Sequence, residues 1–547
     1  MLHRALRRYA RTAAFVGGAA YSLALLAPAS AQETKNDVPV PPGKTEVHMK
    51  DGSVIFADRV EKRGDKIVIT APTLGANPIE MDAAGVTCFG AACKTGTDTL
   101  RSSDNGGGAA PHFGVHGSNT IGARLMPLLL KAFSDKTYGI EAETDEGKPD
   151  EQTVYLGGRD AKDLKAVVDL ATHGSATAFV DLVAATATIG MASRRIKDDE
   201  AQKLVVAGFS DPTSPGNEHV LALDGIAVIV NPDNPVSALS IDDVAGIFSG
   251  EFRDWSQLGG PAGPIKINAR DDKSGTWDTF NSLVLSRKSK TLATDAQRFE
   301  SSESLSDAVA QDVHGIGFIG LAYVGNAKAV AIKGKCGIVS KPTQFLVKAE
   351  QYPLTRRLFL YTKGEPSDAV AKDFLHFALS DQAQPVISDA GFVPQTVEDE
   401  TFDQQGQRLA TMLISPGRVP SAASRAFVDE VRSAKLISTS FRFNQNSSDL
   451  DNKALQDVKR IIDYLHDQKI DGSRLRLIGF TDADGSFFAN VKLSQNRALA
   501  VAQALVNAGY PLSQQSVIGL GPTSPVACND DDTGKSINRR VEIWIRN

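Results

Sequence analysis

The chain has 547 residues, of which 42% are hydrophobic, 23% charged and 7% aromatic, and its formal net charge is −6. At about 100–200 residues per domain, this length predicts about three folded units. The composition argues against a mostly disordered chain, a collagen-like fibre and a multi-span membrane protein, and the acidic balance gives no reason to expect nucleic-acid binding. Four cysteines are too few for a disulfide-dense scaffold.

Residues 1–31 have the features of a cleavable signal peptide. A cationic stretch with four arginines precedes an apolar stretch over residues 13–28, and Ala29-Ser30-Ala31 forms a small-x-small cleavage pattern. A single membrane anchor is the alternative, but the apolar stretch is short for a hydrocarbon core of about 30 Å and contains two glycines and a proline. We therefore expect an exported, soluble, periplasmic protein in a compartment that permits disulfides.

Composition divides the rest of the chain into regions. Short strand-like runs between turn signals predict a small all-β module at 45–95, and the glycine-rich segment 96–111 is a flexible linker. At 112–396 strand-like runs alternate with helical patterns, which predicts an α/β domain. A polar, glutamine-rich linker is predicted at 397–437, and 438–547 again mixes helix and strand. The clearest predicted strands lie at 47–49, 54–56, 67–69, 113–117, 226–230, 265–269 and 359–361.

The four cysteines fall into two pairs that carry different information. Cys88 and Cys93 are close in a glycine-bearing segment, and no second Cys or His pair completes a tetrahedral metal site, so we expect a local disulfide. Cys336 and Cys528 lie far apart in the sequence. The sequence leaves open whether these two pair, stay buried as thiols or react.

Two segments of the α/β domain have the residues of an oxyanion site. In segment 118–120, small hydroxyl and amide residues follow an apolar strand and suit a helix start, whose free N–H groups attract anions. In segment 270–276, hydroxyl residues flank a glycine that permits close backbone approach, and an arginine can supply a charge-assisted fork. Ordinary helix caps with a surface arginine are the alternative. The candidate residues are Ser118, Asn119, Thr120, Arg270, Ser274, Gly275 and Thr276.

The α/β domain closely resembles the phosphate-binding receptors of bacterial phosphate ABC transporters, the PstS-like proteins. The resemblance covers about 285 residues in the expected order and rests on the segments 219–235, 246–250 with Trp255, 270–276, 315–323 and 352–356. It implies a type II periplasmic-binding-protein fold, in which two α/β lobes close over an oxyanion. By the same resemblance, the binding positions fall on the candidates above and on Ser175 and Ser193.

One of these positions departs from part of the family. Some PstS-like members carry an aspartate at the position of Ser193, where it accepts the proton of monohydrogen phosphate and repels sulfate. Other branches use serine, so phosphate remains the expected ligand, whereas discrimination against sulfate or another oxyanion stays open. The neighbouring Arg194 either compensates or faces solvent.

The last 110 residues contain a second candidate site. A buried strand at 475–480 leads to Asp482, and a helix that begins near Leu493 carries Arg497. A carboxylate and a guanidinium can bracket a zwitterion such as the diaminopimelate of a peptidoglycan stem peptide, although an intramolecular Asp–Arg pair is the alternative.

This region resembles the OmpA-like peptidoglycan-binding domain over essentially its whole length. The resemblance rests on the segments 443–450, 479–485, 493–498, 519–521 and 538–543, together with Asn490, Pro525 and Asn529. It implies that Asp482 and Arg497 clamp the diaminopimelate centre and that Asn490 and Asn446 assist. The segment 538–540 is expected to order the edge of the fold rather than to touch ligand, and Phe480 replaces a histidine common in the motif.

No catalytic constellation, cofactor motif or metal motif is recognised, so no enzyme is expected. The leading hypothesis is a periplasmic solute-binding protein that captures phosphate, or a similar oxyanion, while its OmpA-like domain holds it non-covalently on peptidoglycan, at or near the outer membrane. An ABC permease is a candidate partner. The alternative is a cell-envelope scaffold or sensor whose binding-protein domain no longer serves uptake, and a hydrolase on the same scaffold is the least favoured reading.

Overall fold

The computed structural model describes residues 110–148, 150–406, 408, 412 and 420–547, together with six strands nearer the N-terminus. The chain divides into two units, Met1–Gly108 and Ala109–Asn547. The predicted signal peptide and the predicted pair Cys88 and Cys93 lie outside the described residues, as does most of the predicted linker at 96–111. No helix among the described residues is long and apolar enough to cross a bilayer.

The N-terminal unit is built from short antiparallel strands, as the predicted strands at 47–49, 54–56 and 67–69 require. In one three-stranded sheet Thr45–Met49 lies between Val54–Ala57 and Val86–Phe89. In the other, Lys66–Thr70 lies between Arg59–Arg63 and Ile79–Asp82. The six strands are Thr45–Met49, Val54–Ala57, Arg59–Arg63, Lys66–Thr70, Ile79–Asp82 and Val86–Phe89.

The α/β region of the second unit consists of two lobes. In lobe 1 the central strands His112–Gly117, Ala166–Ala171 and Ile189–Ala192 are parallel. In lobe 2 Lys266–Arg270 is parallel to both Gln297–Phe299 and Gly315–Gly320. The remaining strands are Glu143–Glu146, Glu151–Leu156, Glu218–Val230, Ala238–Leu239, Lys328–Lys333, Val339–Ser340 and Thr355–Tyr361.

Helices cover both lobes. Pro127, which is tolerated only near a helix start, lies in the first turn of Leu125–Tyr138, just after a four-residue helix. Buried apolar side chains form two large clusters, one that fills lobe 1 and continues onto one face of the lobe 2 sheet, and one that lies within lobe 2. The helices are Asn119–Gly122, Leu125–Tyr138, Ser175–Val183, Asp198–Val206, Ile241–Phe248, Gly275–Phe280, Ser302–Gln311, Gln344–Lys348, Ala369–Leu379 and Gln384–Asp389.

Two strands carry the chain between the lobes and form the hinge. The first half of Glu218–Val230 pairs with Thr355–Tyr361 in lobe 1, whereas its second half pairs with Gly315–Gly320 and Lys328–Lys333 in lobe 2. A rotation of one lobe against the other therefore has to bend the chain near Gly225 and Leu354.

The C-terminal domain is a five-stranded sheet with helices on its faces. Its strands, in spatial order, are Asp399–Thr401, Ala434–Arg442, Arg540–Arg546, Leu475–Phe480 and Val517–Gly519. Side chains alternate between the two faces, so Val541 and Ile543 pack against the helices Asn452–Asp467 and Phe487–Asn507, while Trp544 faces the other side. The remaining helices are Ser421–Val431 and Asp532–Asn538.

The segment 397–437 was expected to be a linker, and this expectation is wrong. Its strand Asp399–Thr401 pairs with Ala434–Arg442. Its helix Ser421–Val431 buries Phe427 and Val431 against the sheet. The polar composition hid these elements because the helix buries only two large apolar side chains.

A disulfide joins lobe 2 to the C-terminal domain. Cys336 and Cys528, whose state the sequence left open, are bonded across a sequence separation of 192 residues. The same interface is apolar, because Phe345 and Ala349 of lobe 2 are buried in one cluster with Phe480 and Trp544. The two domains are thus joined both covalently and by a shared core.

We expect the Cys336–Cys528 bond to stabilise the protein substantially. Closing a loop of this length restricts the unfolded chain, which contributes about 3–5 kcal/mol in the chain-entropy treatment. A variant with Cys336→Ser and Cys528→Ser should therefore unfold at a lower temperature in differential scanning calorimetry, and reducing agent should no longer affect this transition. An unchanged melting profile would contradict the assignment of the bond.

Candidate functional site

The candidate oxyanion residues converge because they follow parallel strands. The carboxyl ends of parallel strands meet at one edge of a sheet, which is where α/β folds bind ligands. Ser118 follows His112–Gly117, and Arg270 ends Lys266–Arg270 on the opposite lobe. Ser175 and Ser193 follow the two other central strands of lobe 1. The cleft between the lobes is therefore lined by residues from both.

Five hydroxyl side chains meet in this cleft, and we call Ser118, Thr120, Ser175, Ser193 and Thr276 the hydroxyl cluster. All five are buried, with 1% or less of their surface exposed. The Oγ1 atoms of Thr120 and Thr276 lie 3.1 Å apart, and the Oγ atoms of Ser175 and Ser193 lie 3.2 Å apart. The Oγ of Ser118 has no hydrogen-bond partner within the described part of the chain. A buried hydroxyl without a partner is costly, so the cluster is poised to donate to a ligand.

Arg270 is the buried cation of the cleft. Its side chain is 0% exposed, and four of its five N–H groups donate to the carbonyls of Phe299 and Glu300, to Ser302 Oγ and to Asn119 Oδ1. Its nearest carboxylate, that of Asp271, lies 3.8 Å away. Burial lowers the pKa of Arg270 to about 10, which shows how incompletely its charge is neutralised.

This geometry refines the role expected for Arg270. Because most of its N–H groups are engaged by the protein, it is not free to offer the bidentate fork that the sequence suggested. It instead holds Asn119 at the first helix start and supplies a fixed positive charge beside the hydroxyl cluster. A fixed, buried charge of this kind favours an anion without needing to reorganise when the anion arrives.

A second arginine belongs to the cleft and was not among the predicted site residues. Arg356 donates from Nη1 to Thr276 Oγ1 at 2.6 Å, and its other nitrogens bind Asp224. Because Thr276 Oγ1 accepts this bond, its own proton is free for Thr120 or for a ligand. Arg356 lies 80 residues from Thr276, so no local spacing could have linked them.

The remaining predicted residues, Ser274 and Gly275, form the helix start that faces the cleft. Ser274 caps the helix Gly275–Phe280 by accepting from the N–H groups of Thr276 and Trp277. A Cβ at Gly275 would overlap the hydroxyl oxygens of Ser175 and Ser193, so only glycine allows this helix start to reach lobe 1. The lobes are therefore in contact across the cleft in this structure.

We expect Gly275→Ala to prevent this contact. The added methyl group would push the helix start away from Ser175 and Ser193, which would separate the hydroxyl cluster and weaken anion binding by at least about tenfold. Isothermal titration of the variant with phosphate measures the loss. Gly216→Ala, at an exposed position where a Cβ meets nothing within 4 Å, is the matched control and should bind normally. Equal affinities for the two variants would contradict the proposed packing.

Arg194 neither replaces the missing aspartate nor faces solvent. It is 7% exposed, pairs with Glu200 in lobe 1 and reaches across the cleft to Asp278 at 2.6 Å. Its charge is thus neutralised by carboxylates, unlike that of Arg270. This pairing makes Arg194 a contact between the lobes.

The histidines near the cleft make surface contacts. His116 lies 2.9 Å from Asp181, and His173 lies 3.3 Å from Glu151. Asp150, His173 and Glu300 each bring one candidate metal-ligand atom within 4.8 Å of the others, but both acids are exposed, and such groups are common without a metal. We therefore assign this trio no ligand.

The second site lies at one end of the C-terminal sheet. Asp482 follows the strand Leu475–Phe480 and accepts a hydrogen bond from Arg539 at 2.9 Å. Arg497, on the helix Phe487–Asn507, is fully buried and donates to the carbonyls of Asn444 and Ser447. Burial lowers the pKa of Arg497 to about 10; the like charge of Arg539 adds to this effect, and Asp482 opposes it.

This arrangement differs from the intramolecular pair that the sequence left open as the alternative. Asp482 is bonded to Arg539 rather than to Arg497, so the simple intramolecular pair of Asp482 with Arg497 is not formed. Arg497 hydrogen-bonds to no carboxylate within the described residues, and two of its N–H groups remain free. Two arginines therefore share one aspartate, and the site lacks one negative charge that a ligand carboxylate can supply.

The other predicted residues of this second site differ in their burial and in their contacts. Asn490 is buried and donates to the carbonyl of Asp484, which fixes the turn after Asp482. Asn446 is exposed on the loop that Arg497 binds, with a positive φ of 57°. The expectation that 538–540 only orders the edge holds for Asn538 and Arg540, which bond within the fold, but is wrong for Arg539, which lies in the site.

Comparison with known families matches these two regions. The family profile described as PBP superfamily domain matches residues 158–382, and the OmpA family profile matches residues 442–539. The phosphate-binding protein PstS of Staphylococcus haemolyticus is 30% identical over 250 residues, which cover 44% of this chain and 76% of that protein. PstS of Staphylococcus saprophyticus is 29% identical over 259 residues, which cover 46% of this chain and 78% of that protein.

Solved structures of phosphate receptors are also similar to this chain, at lower sequence identity. An ABC-type phosphate transport receptor from Vibrio cholerae is 23% identical, with a TM-score of 0.38, and the match covers 51% of this chain and 99% of that one. PstS from Borrelia burgdorferi is 22% identical, with a TM-score of 0.34, and the match covers 52% of this chain and 98% of that one.

Proposed function

We propose that this chain, which belongs to the PstS family of phosphate-binding proteins and carries a C-terminal OmpA-family domain, captures inorganic phosphate in the periplasm while held non-covalently on peptidoglycan. The curated relatives are named as phosphate-binding proteins and not as enzymes, and we propose no turnover. The location that fits both domains is the cell envelope, on the wall and near the outer membrane.

The observation that carries the phosphate proposal is that the cleft buries a positive charge and a hydroxyl group that the protein itself does not fully satisfy. Arg270 is buried with its nearest carboxylate, that of Asp271, 3.8 Å away and not hydrogen-bonded to it, and the Ser118 hydroxyl is buried without a partner among the described residues. Both costs disappear when an anion rich in acceptor oxygens enters. Each charge-assisted hydrogen bond contributes about 1.5–3 kcal/mol, so a few of them support micromolar binding.

The hydroxyl cluster bears on which anion is preferred. Ser193 occupies the position at which some PstS-like proteins carry a carboxylate that accepts the proton of monohydrogen phosphate. Both carboxylate oxygens of the nearby Asp224 are already bonded, one to the N–H of Leu321 and the other to Arg356. The cluster can donate to any tetrahedral oxyanion but has no carboxylate of its own to repel sulfate. We therefore propose that the chain binds phosphate with only modest discrimination against sulfate.

Calorimetric titration of the full chain with phosphate, sulfate and arsenate tests this function. We expect micromolar or tighter phosphate binding and a sulfate affinity within about a hundredfold of it. Absence of heat with all three anions would overturn the proposal and favour an envelope scaffold or sensor. Uptake of labelled phosphate by starved cells, with and without the protein, tests delivery to an ABC permease.

A further inference from the structure

The C-terminal domain contacts both lobes on the hinge side of the cleft. Its link to lobe 2 is the Cys336–Cys528 bond together with the shared apolar core around Phe345 and Ala349. Its link to lobe 1 consists of hydrogen bonds from the helix Asn452–Asp467 and of an ion pair between Asp451, which caps that helix, and Arg357. One domain thus spans two bodies that the family moves relative to each other.

The hydrogen bonds to lobe 1 come from two side chains of that helix, Asn452 and Arg460, which we call the brace; the Asp451–Arg357 ion pair lies beside them. Asn452 donates from Nδ2 to the carbonyl of Thr213 at 2.7 Å and to a carboxylate oxygen of Glu218 at 3.1 Å. Arg460 donates to Oε1 of Gln395 at 3.1 Å. Gln395 in turn donates to the carbonyls of Val220 and Leu221, on the lobe 1 half of the hinge strand.

The link to lobe 2 is stronger than the link to lobe 1, and this difference decides which lobe the C-terminal domain follows. A disulfide and a buried apolar contact hold the domain to lobe 2, so it must travel with lobe 2 when the cleft opens. A few hydrogen bonds and one ion pair hold it to lobe 1, and these have to break or stretch. They are formed in the structure in which Thr120 of lobe 1 touches Thr276 of lobe 2. They therefore favour the closed cleft.

We propose that the wall-binding domain is part of the anion-binding machinery, because Asn452 and Arg460 hold the two lobes in the closed arrangement. Apparent affinity falls in proportion to the fraction of molecules that are binding-competent. By raising the closed fraction before any ligand arrives, the brace tightens anion binding without touching the anion. Asn452 and Arg460 are thus positioning residues for the cleft.

The loop that precedes the brace connects it to the wall site. Arg497 donates to the carbonyls of Asn444 and Ser447, and the same loop ends at Asp451, which pairs with Arg357 of the hinge strand at 2.6 Å. A ligand carboxylate on the free N–H groups of Arg497 would hold this arginine, and through it the loop, in place. Resting on the function proposed above, the inference is that wall binding and phosphate binding strengthen each other.

The distance between the lobes tests the brace directly. Spin labels on Val206→Cys in lobe 1 and Ala262→Cys in lobe 2, both at exposed positions, report the opening of the cleft in the full chain. Without any anion, Asn452→Ala with Arg460→Ala should shift the population toward longer distances, and each single change should shift it partly. Lys459→Ala, an exposed cation on the same helix, is the matched control and should leave the distances unchanged.

An unchanged distance distribution in the double variant would overturn the brace. Because this readout needs no anion, it decides the inference separately from the question of whether phosphate is the ligand. In titrations with phosphate, the double variant should bind about five- to twentyfold more weakly than the parent. Wild-type affinity in the double variant would also count against the brace.

The coupling has its own test. A soluble muropeptide that contains diaminopimelate should lower the phosphate Kd of the parent chain by about three- to tenfold, and saturating phosphate should lower the muropeptide Kd by the same factor. In Asn452→Ala with Arg460→Ala the factor should approach one. A factor of one in the parent chain would overturn the coupling.

Discussion

Arg270→Ala is expected to reduce phosphate affinity by at least about a hundredfold. The substitution removes the buried arginine of the cleft that hydrogen-bonds to no carboxylate, and it also frees Asn119 and the segment around Glu300 and Ser302 from their common donor. Loss of its one free N–H as a charge-assisted donor corresponds to about 1.5–3 kcal/mol, and the loss of the fixed charge and of the Asn119 position adds to this. Calorimetric titration of the full chain with phosphate measures the effect.

Two comparison variants separate charge from geometry at this position. Arg270→Lys keeps the charge but cannot serve four acceptors, so it should also bind weakly. Arg253→Ala removes a half-exposed arginine of the same lobe, which pairs with Asp295, and should bind like the parent. Retention on peptidoglycan should persist in all three proteins, which shows that the C-terminal domain is folded. A less than threefold change for Arg270→Ala would refute the assigned role.

Arg497→Ala is expected to release the chain from peptidoglycan. The parent has one buried arginine, Arg497, and one half-buried arginine, Arg539, near one aspartate, and the proposed ligand carboxylate restores the charge balance. Without Arg497 the carboxylate loses its buried donor, and the loop that carries Asn444 and Ser447 loses its anchor. We expect at least tenfold less protein in the pellet when sedimented peptidoglycan is mixed with the variant.

The control for this experiment lies on the same helix. Lys492→Ala also removes one positive charge, but Lys492 is exposed and lies outside the site, so it should sediment like the parent. Asp482→Ala should behave like Arg497→Ala, since it leaves Arg539 and Arg497 without their shared carboxylate. Full retention of both site variants would exclude this pocket as the attachment point.

Local patterns in the sequence pointed to parts of both candidate sites, and the family resemblances supplied the rest, including Ser175 and Ser193. Ser118, Ser175, Ser193 and Arg270 stand at the ends of apolar strand-like runs, and parallel strands bring such ends together without further information. The predicted strands at 113–117, 226–230 and 359–361 fall within observed strands, and the one at 265–269 is displaced by one residue from Lys266–Arg270, because alternation and burial are properties of neighbouring residues. The same holds for the helix that carries Arg497.

Contacts between distant segments were decided only by the tertiary structure. The pairing of Cys336 with Cys528, the bond of Arg356 to Thr276 and the bond of Arg539 to Asp482 join residues 192, 80 and 57 positions apart. No spacing rule relates such residues, because their separation in sequence reflects how much folded chain lies between them. The sequence by itself therefore determined the two domains and the residue types of each candidate site. Packing alone decided that the C-terminal domain spans the hinge, since that depends on which surfaces two domains bury against each other.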